Sequence, residues 1–396
     1  MFWVHHTFVR LSCIMTDRRC PASYCTRSPF TRRSLPWLVL TAAVLLLVQS
    51  ARAGGTAAPR ATRSRPEVEA LIRKAGETPP EWWDSVALDF PKTLDLSWPD
   101  KAPPGGWNPS KNVGQYLWSV INENPGRWKS GVRFVHYLLT VHKDDRAKLA
   151  KATGTLGGQY FSLLNDPARA AFWYRKSAAI RPLRLHGALR LAECYWRLGS
   201  KAMAIQEMGK MQRYIAPGMV KLWSDMGELG KALEIADALG RTRMALAGHM
   251  AGGDACRLHD RYPQALSYYQ KALDFPATGR GKKHVLTVKT RARESIDAIK
   301  VYDALDLSRI PNGAYKSTTA SFAGPLTLEV RIADAKIESV RVVQHQDKQY
   351  YGALTETPRQ IIEKQGVRGV DAVTGATITS QAIINATAKA LAGAMK

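Results

Sequence analysis

Long hydrophobic runs are missing from this 396-residue chain, and acidic residues are scarce. No apolar run reaches roughly 20 residues, the length that a helix needs to cross a bilayer, so the sequence does not fit a polytopic membrane protein. Asp and Glu number 33 against 57 Lys and Arg, which gives a formal charge of +24. The apolar share of 45% suits a packed, folded chain, and the length leaves room for roughly two or three domains.

Motifs for several kinds of redox or catalytic centre are also absent from the sequence. There is no C-x-x-C-H, which excludes an attached c-type haem, and no cysteine cluster for an iron–sulfur centre. His136, His186 and His249 are scattered on helical segments without metal-ligand spacing, so we interpret them as structural. No nucleophile–base pair, paired carboxylates or nicotinamide fingerprint stands out. The sequence therefore does not support an enzyme that turns over a substrate of its own.

A secretory signal is predicted at the N-terminus. Residues 35–48 are apolar; basic residues precede them, and an A-x-A site follows (Arg27, Arg32 and Arg33; Ala51 to Ala53). This combination is typical of a signal peptide, so we predict that residues 1–53 are removed after Ala53. An uncleaved segment that anchors the chain in the membrane is the alternative. Either way the remainder is expected to be periplasmic or otherwise extracytoplasmic, and the export route, Sec or twin-arginine, stays open.

Export bears on both the cysteines and the charge. Cleavage would leave Cys194 and Cys256, which either pair in an oxidising compartment or, as we favour, are buried as small apolar residues. Seven arginines and one aspartate precede Gly54, so the remainder carries +18. An excess of positive charge of this size is common in proteins that bind nucleic acid, but export argues against a nucleic-acid ligand. Anionic membrane surfaces or acidic redox partners are expected instead; a solvated cationic surface without a dedicated partner is the alternative.

The middle of the chain is repetitive. A pattern of small and aromatic residues recurs after 34 residues in a second copy, and a third copy follows a shortened or degenerate repeat at residues 222–239. The first copy is Gly158, Phe161, Ala170, Tyr174, Ser177 and Pro182, the second is Ala192, Tyr195, Ala204, Met208, Met211 and Pro217, and the third is Gly253, Cys256, Ala265, Tyr269, Ala272 and Pro276. The pattern resembles the tetratricopeptide repeat, in which paired helices approach closely at small residues. We predict an α-helical solenoid over residues 113–305. It would either dock a protein partner, which we favour, or serve as a spacer or packing platform.

Residues 54–112 are predicted to be a flexible linker and an irregular segment rich in Pro and Trp. Its tryptophans (Trp82, Trp83, Trp98 and Trp107) could form a ligand surface, but we favour packing onto the first helices. The helical pattern fails at Pro311-Asn312-Gly313, which marks a domain boundary. Beyond it, alternating apolar residues predict a two-stranded hairpin at 327–332 and 337–343 with a turn at 333–336. Helices are expected at 357–365 and 381–394.

The stretch from Asp371 to Ser380, D-A-V-T-G-A-T-I-T-S, is the most informative part of the chain. Gly375 and Ala376 leave the backbone open to close approach, and four hydroxyls surround them (Thr374, Thr377, Thr379 and Ser380). We predict that Ser380 caps the helix beginning at Gln381, where free N–H groups attract phosphate oxygens. A polar helix cap without a ligand is the alternative. The chemistry of the stretch favours phosphate binding.

This block and the hairpin before it resemble the FMN-binding domain family, over residues 311–396. The family carries FMN on the last threonine of a D-x-x-S/T-G-A-T motif, as in the flavin subunits of Rnf and of the sodium-pumping NADH:quinone reductase. The resemblance implies a small α+β domain, a phosphoester between FMN and Thr377, and recognition by Asp371, Thr374, Gly375 and Ala376. It also implies an extracytoplasmic FMN transferase as a partner. His345 matches the family. Tyr350 or Tyr351 could stack on the flavin ring, but we favour the alternative that they are ordinary loop aromatics.

Two functions are compatible with these features. The first, which we favour, is an exported electron carrier with covalent FMN on Thr377, docked through its tetratricopeptide-like region onto a redox partner such as a membrane oxidoreductase. Basic residues near the ring, Arg341 among them, would then stabilise the reduced flavin. The second is a tetratricopeptide scaffold whose FMN domain is vestigial or senses redox state. The intact motif favours the first, since a vestigial site would be free to lose Thr377 or Gly375.

Overall fold

The computed structural model describes residues 62–101, 105–348 and 352–395. In these ranges the chain forms fourteen α-helices and one three-stranded sheet. The predicted signal peptide and Tyr350 and Tyr351 lie outside the described residues. No helix within the described ranges is both long and apolar enough to span a bilayer.

Twelve helices precede the sheet. They are α1 (Arg65–Glu77), α2 (Val113–Tyr116, continued by a π-helical segment, Leu117–Asn122), α3 (Trp128–Val141), α4 (Arg146–Ser162), α5 (Pro167–Ile180), α6 (Leu185–Arg197), α7 (Lys201–Gly209), α8 (Pro217–Asp225), α9 (Leu229–Gly240), α10 (Ala245–Leu258), α11 (Tyr262–Asp274) and α12 (Lys282–Val301). Aspartate side chains cap two of them: Asp145 accepts from the N–H groups of Ala147 and Lys148, and Asp166 accepts from that of Arg169. From α3 onward most helices pack against their neighbour in sequence, and we call α3–α12 the helical array.

The periodic residues of the sequence lie at the contacts between paired helices. The three copies fall on α4 and α5, on α6 and α7, and on α10 and α11. Tyr174, Met208 and Tyr269, which occupy equivalent positions, are all buried. A glycine lies opposite each of the two tyrosines: a Cβ added at Gly157 would lie 2.7 Å from the Tyr174 ring, and one at Gly253 would lie 2.5 Å from the Tyr269 ring. In these two helix pairs a glycine therefore lets the helices approach closely.

The tryptophan-rich segment before the array packs onto its first helices, as predicted. Trp98 is buried, and Trp82 and Trp83 pack against the same hydrophobic cluster, whereas Trp107 is 45% exposed. The His136 ring lies between Trp83 and Trp173, with ring centres 4.7 and 4.9 Å away. Burial, with help from Arg133, lowers the pKa of His136 to about 4. A neutral histidine in an aromatic cluster agrees with its structural interpretation.

The sheet has one strand more than the sequence predicts. The hairpin is present as β2 (Pro325–Ala333) and β3 (Lys336–Gln344), and β1 (Gly313–Ala320) pairs antiparallel with β2. Asp334 and Ala335 form the two-residue turn, with φ of +49° and +56°. Both residues adopt the left-handed conformation that a type I′ turn needs, so the turn forms without the glycine usual at its second position. The predicted boundary at Pro311 is followed at once by β1.

Two helices complete the C-terminal part, α13 (Gly352–Lys364) and α14 (Thr377–Ala394). Thirteen of the 18 residues of α14 are buried, because the helix packs against β1, β2, α12 and α13. Its start corrects the sequence prediction: the helix begins at Thr377 with Ala376 as N-cap, and Ser380 lies within the first turn. Ser380 cannot cap because the Ala376 carbonyl already accepts from its backbone N–H, at 2.9 Å.

The hydrophobic core continues from the array into the C-terminal part. One cluster contains Val220 and Leu239 from the array, Leu328 and Val330 from the sheet, and Ile384 from α14. Polar contacts cross the same junction, for example from Asn385 Nδ2 to Ser295 Oγ at 3.1 Å. Cys194 and Cys256 are both buried and unpaired, which confirms the favoured prediction.

A cavity between the helical array and the threonine loop

The threonine loop, Asp371 to Ala376, is a tight turn that leads directly into α14. The N–H of Ala376 donates to the Val373 carbonyl at 2.9 Å, and Gly375 has φ of +83°. That left-handed conformation favours glycine, since other residues carry a Cβ that is crowded there. Ala376 offers no side-chain acceptor to the first turn of α14. The N–H groups of that turn are therefore available to an anion.

The loop lines a cavity of about 420 Å³, whose opposite wall comes from α6, α8, α10 and α12 of the array. Five of the seven predicted site residues lie between Asp371 and Thr377, and four of these line the cavity: Asp371, Thr374, Gly375 and Thr377. The fifth, Ala376, is buried behind them. The volume lies within the range typical of small-molecule sites, roughly 300–1,000 Å³.

The remaining two predicted residues, Thr379 and Ser380, do not line the cavity. Thr379 Oγ1 donates to Asp347 Oδ2 at 2.7 Å. Ser380 Oγ accepts from the Val373 N–H at 3.0 Å and from Thr357 Oγ1 at 3.1 Å. Both residues are buried: Thr379 ties α14 to the segment after β3, and Ser380 ties it to the loop and to α13. Within the predicted block, the hydroxyls that reach the cavity are those of Thr374 and Thr377.

Asp371 joins the loop to the array through an ion pair. Its Oδ1 accepts from Lys221 Nζ at 2.9 Å, and the same ammonium donates to Asp225 Oδ2 at 2.6 Å. Gln360 fixes the Asp371 backbone from the other side, donating to its carbonyl at 3.1 Å and accepting from its N–H at 2.9 Å. Arg257 makes a second contact from the array: its Nη2 donates a hydrogen bond to the Val370 carbonyl at 3.0 Å. The loop is thus attached to α8 and α10 on the cavity side.

At the cavity the Lys221 ammonium lies among three carboxyls, those of Asp225, Asp371 and Glu193. Burial alone would lower the pKa of Lys221, but Asp225, Asp371 and Glu193 outweigh it and raise that pKa. Burial and the nearby Asp371 raise the pKa of Asp225 well above its usual range. Burial likewise raises the pKa of Glu193, although Lys221 opposes it. Lys221 therefore stays charged at neutral pH and holds the cluster together.

The array supplies cavity residues that the sequence motif does not reveal. Arg190, Lys221, Arg257 and Arg291 line the cavity, whereas Arg341, the basic residue expected near the ligand, lies on β3 with its side chain 70% exposed and pairs with Glu329 at 3.1 Å. No local signal could have found these four, because they are spread over α6, α8, α10 and α12 and meet the loop only in the folded chain. In the part of the chain that the structure describes, no group of histidines, cysteines and carboxylates could hold a metal ion.

The comparisons agree with this geometry at the level of the domain. Residues 322–392 match the family model of the FMN-binding domain, which covers β2, β3, α13, the threonine loop and most of α14. The match supports FMN as the ligand. The chain is also 31% identical to an uncharacterized protein of Treponema pallidum (strain Nichols) over 122 residues, 30% of this chain and 34% of that protein. The chain thus spans about a third of the length of that relative.

The residues at the cavity fit the chemistry of FMN. The uncapped start of α14 suits a phosphate, Gly375 leaves room for close approach, and the cavity is large enough for a ring system. The array wall is apolar in part, through residues such as Leu246, Met250 and Val288. A mostly apolar cavity with a few placed polar groups is what an aromatic cofactor needs.

Proposed function

We propose that this protein is an exported flavoprotein that carries FMN as a phosphoester on Thr377 and passes electrons between partner proteins. The observation that carries the proposal is the position of Thr377, at the first residue of α14 and on the cavity wall, within the segment matched by the FMN-binding domain. Its hydroxyl would hold the FMN phosphate beside the free N–H groups of the helix start. Bound flavin supplies one- and two-electron chemistry, and the protein supplies position and electrostatics.

A covalent tether suits the predicted extracytoplasmic location, where free FMN would diffuse away. The motif implies an extracytoplasmic FMN transferase, which would recognise Asp371, Thr374, Gly375 and Ala376. Asp371 is also engaged by Lys221, so its carboxylate would have to serve both the array and the transferase, or exchange one for the other. An uncleaved N-terminal anchor would keep the carrier at the membrane, close to an oxidoreductase.

The helical array, which we propose to be tetratricopeptide-like, offers a groove for a redox partner. A second cavity of about 870 Å³ lies between the π-helical segment Leu117–Asn122 and helices α4–α6, and basic residues line it: Lys148, Lys151, Arg181, Arg184 and Arg190. Among the described residues of its wall, Asp100 is the one acid, and it is paired with Lys151 at 2.6 Å. His186 and Arg190 line both cavities, so an acidic partner segment in this groove would lie beside the flavin.

The rival function, a scaffold with a vestigial or redox-sensing FMN domain, predicts a different outcome in one experiment. The exported protein is produced together with an extracytoplasmic FMN transferase, beside Thr377→Ala and the matched control Thr318→Ala, a hydroxyl on the exposed face of β1. The electron carrier is expected to gain the mass of one FMN less water and to show in-gel flavin fluorescence. Both signals should vanish in Thr377→Ala and persist in Thr318→Ala.

An unmodified wild type beside a transferase that modifies a known substrate would overturn covalent flavinylation and favour the scaffold. Loaded protein that cannot be reduced or reoxidised by any partner, at partner concentrations where other carriers turn over, would favour the sensor. Fluorescence retained in Thr377→Ala would place the tether on another hydroxyl, for which Thr374 is the candidate at the cavity.

A further inference from the structure

Gln381 is a buried side chain whose hydrogen-bonding groups are unused. It is 4% exposed and lines the cavity, and neither its Nε2 nor its Oε1 has a hydrogen-bond partner within the described residues. Buried amides are almost always paired, because desolvating them without a partner is unfavourable. Two unpaired atoms on one side chain at a cavity wall point to a ligand that supplies their hydrogen-bond partners.

The position of Gln381 relates it directly to the proposed attachment site. It lies four residues after Thr377 on α14, and residues four apart occupy the same face of a helix. Both side chains line the same cavity. A group attached through the Thr377 hydroxyl would therefore extend past the Gln381 amide or over it.

The chemistry of the amide matches one edge of a flavin ring. A primary amide presents a donor and an acceptor side by side. The pyrimidine edge of the isoalloxazine presents carbonyl acceptors on either side of an N–H donor, so the two can pair in a complementary way. The opposite edge of the ring is apolar, and Leu246, Met250 and Val288 of the array offer it an apolar wall.

We propose that the flavin ring lies in the cavity between the helical array and the threonine loop, with the Gln381 amide as its buried hydrogen-bond partner. This inference rests on the proposed function and adds to it, because it makes the array one wall of the flavin site. The ties from Lys221 to Asp371 and from Arg257 to the Val370 carbonyl hold that wall against the loop. The array then sets the polarity around the ring in addition to docking a partner.

The first test replaces Gln381 in the flavin-loaded, full-length protein. Gln381→Leu keeps the volume and removes both hydrogen-bonding groups. FMN load by intact mass is expected to be unchanged, whereas the flavin carbonyl stretching bands should shift to higher wavenumber and the midpoint potential should move. The unmodified variant should unfold at the same or a higher urea concentration than wild type, because two unpaired polar atoms leave the core. A merely structural glutamine would give the reverse pattern: lower stability and unmoved bands.

The second test fills the cavity from the array side. Ala251→Phe adds a ring on α10, at a partly buried residue that lines the cavity, and Ala178→Phe adds the same ring on the exposed face of α5. Flavin fluorescence of Ala251→Phe is expected to become several-fold more accessible to iodide, while Ala178→Phe stays at the wild-type value. The Gln381 variant keeps the inference testable if Ala251→Phe does not fold.

The outcomes separate this inference from the proposed function. Full FMN load with unmoved carbonyl bands in Gln381→Leu and unchanged iodide access in Ala251→Phe would overturn the placement of the ring and leave the carrier function standing. A wild type that takes up no FMN would overturn the carrier function and, with it, the ring in this cavity.

Discussion

At the scale of single residues, the hydroxyls of the threonine block divide into two sets. Thr374 and Thr377 reach the cavity, whereas Thr379 and Ser380 are buried and make hydrogen bonds within the protein. The helix begins at Thr377, so Thr379, two residues further on, points to the opposite side of α14. Ser380 is held by the Val373 N–H and by Thr357 Oγ1. Four hydroxyls that look equivalent in the sequence therefore have different roles.

This division predicts opposite effects for two conservative substitutions. Thr379→Val removes the donor to Asp347 and leaves that carboxylate with one partner fewer, so the free energy of unfolding should fall by about 1–2 kcal/mol. FMN load should be retained. Thr377→Val should lose the FMN and leave the stability of the unmodified protein within about 0.5 kcal/mol of wild type. Urea unfolding measures the stability of the two variants, and intact mass measures their FMN load. A folded Thr379→Val without FMN would contradict the structural role given to Thr379.

At the scale of helices and strands, the close packing of α10 against α11 depends on Gly253. A Cβ there would lie 2.5 Å from the ring of Tyr269, which is buried and donates to Asp254 Oδ1 at 2.7 Å. The Tyr269 ring cannot move away from an added Cβ without breaking that hydrogen bond. The helices can separate only by opening the core between them.

We therefore expect Gly253→Ala to destabilise the protein by about 1–3 kcal/mol, in spite of the better helix propensity of alanine. Gly230, on α9, is the matched control, because a Cβ there would meet no atom within 4 Å. Gly230→Ala should leave the protein as stable as wild type or up to about 1 kcal/mol more stable. Thermal unfolding followed by circular dichroism compares the two; equal effects would contradict the close-packing argument.

Whether a strand can be predicted depends on how regularly apolar residues alternate with polar ones along it. The β2–β3 hairpin was predicted because its apolar residues recur at every second position, as in Leu328, Val330 and Ile332. β1 was missed, since its inward side chains are the small polar Ser317 and Thr319, which carry no hydrophobic signal. Thr319 is buried because its hydroxyl donates to the Ala382 carbonyl of α14 at 2.9 Å, a partner that the sequence does not reveal.

At the scale of the whole molecule, the array and the C-terminal domain cannot be treated as separable parts. The sequence predicted both and a boundary between them near Pro311, but it could not predict the cavity, because Lys221 and Asp371 are 150 residues apart. Their ion pair, the shared hydrophobic core and the cavity belong to the junction. Local pattern predicts the motif and the proposed repeats, whereas the site depends on contacts between residues far apart in the sequence.

A substitution of Lys221 tests how much the ion pairs at this junction contribute to stability. Its side chain is 14% exposed, it pairs with Asp225 and Asp371, and both these carboxylates and Glu193 raise its pKa. Lys221→Met would leave the buried Asp225 without its ion-pair partner and would remove one of the cations that lower the pKa of Glu193. Removing one partner of a buried pair typically costs about 3–5 kcal/mol, so we expect a loss of that order at pH 8. Lys283→Met, on the exposed start of α12, should stay within about 0.5 kcal/mol of wild type.

The loss of stability in Lys221→Met should become smaller as the pH falls. Burial already raises the pKa of Asp225 and Glu193 above their unfolded values, and removing the ammonium raises both further. A carboxyl with a higher pKa in the folded state binds a proton on folding between the two pKa values, so stability rises as pH falls through that window. Urea unfolding from pH 8 to pH 5 should therefore show the variant approaching wild type. A deficit that is independent of pH would mean that lost packing of the lysine stem, and not the buried charge, governs the junction.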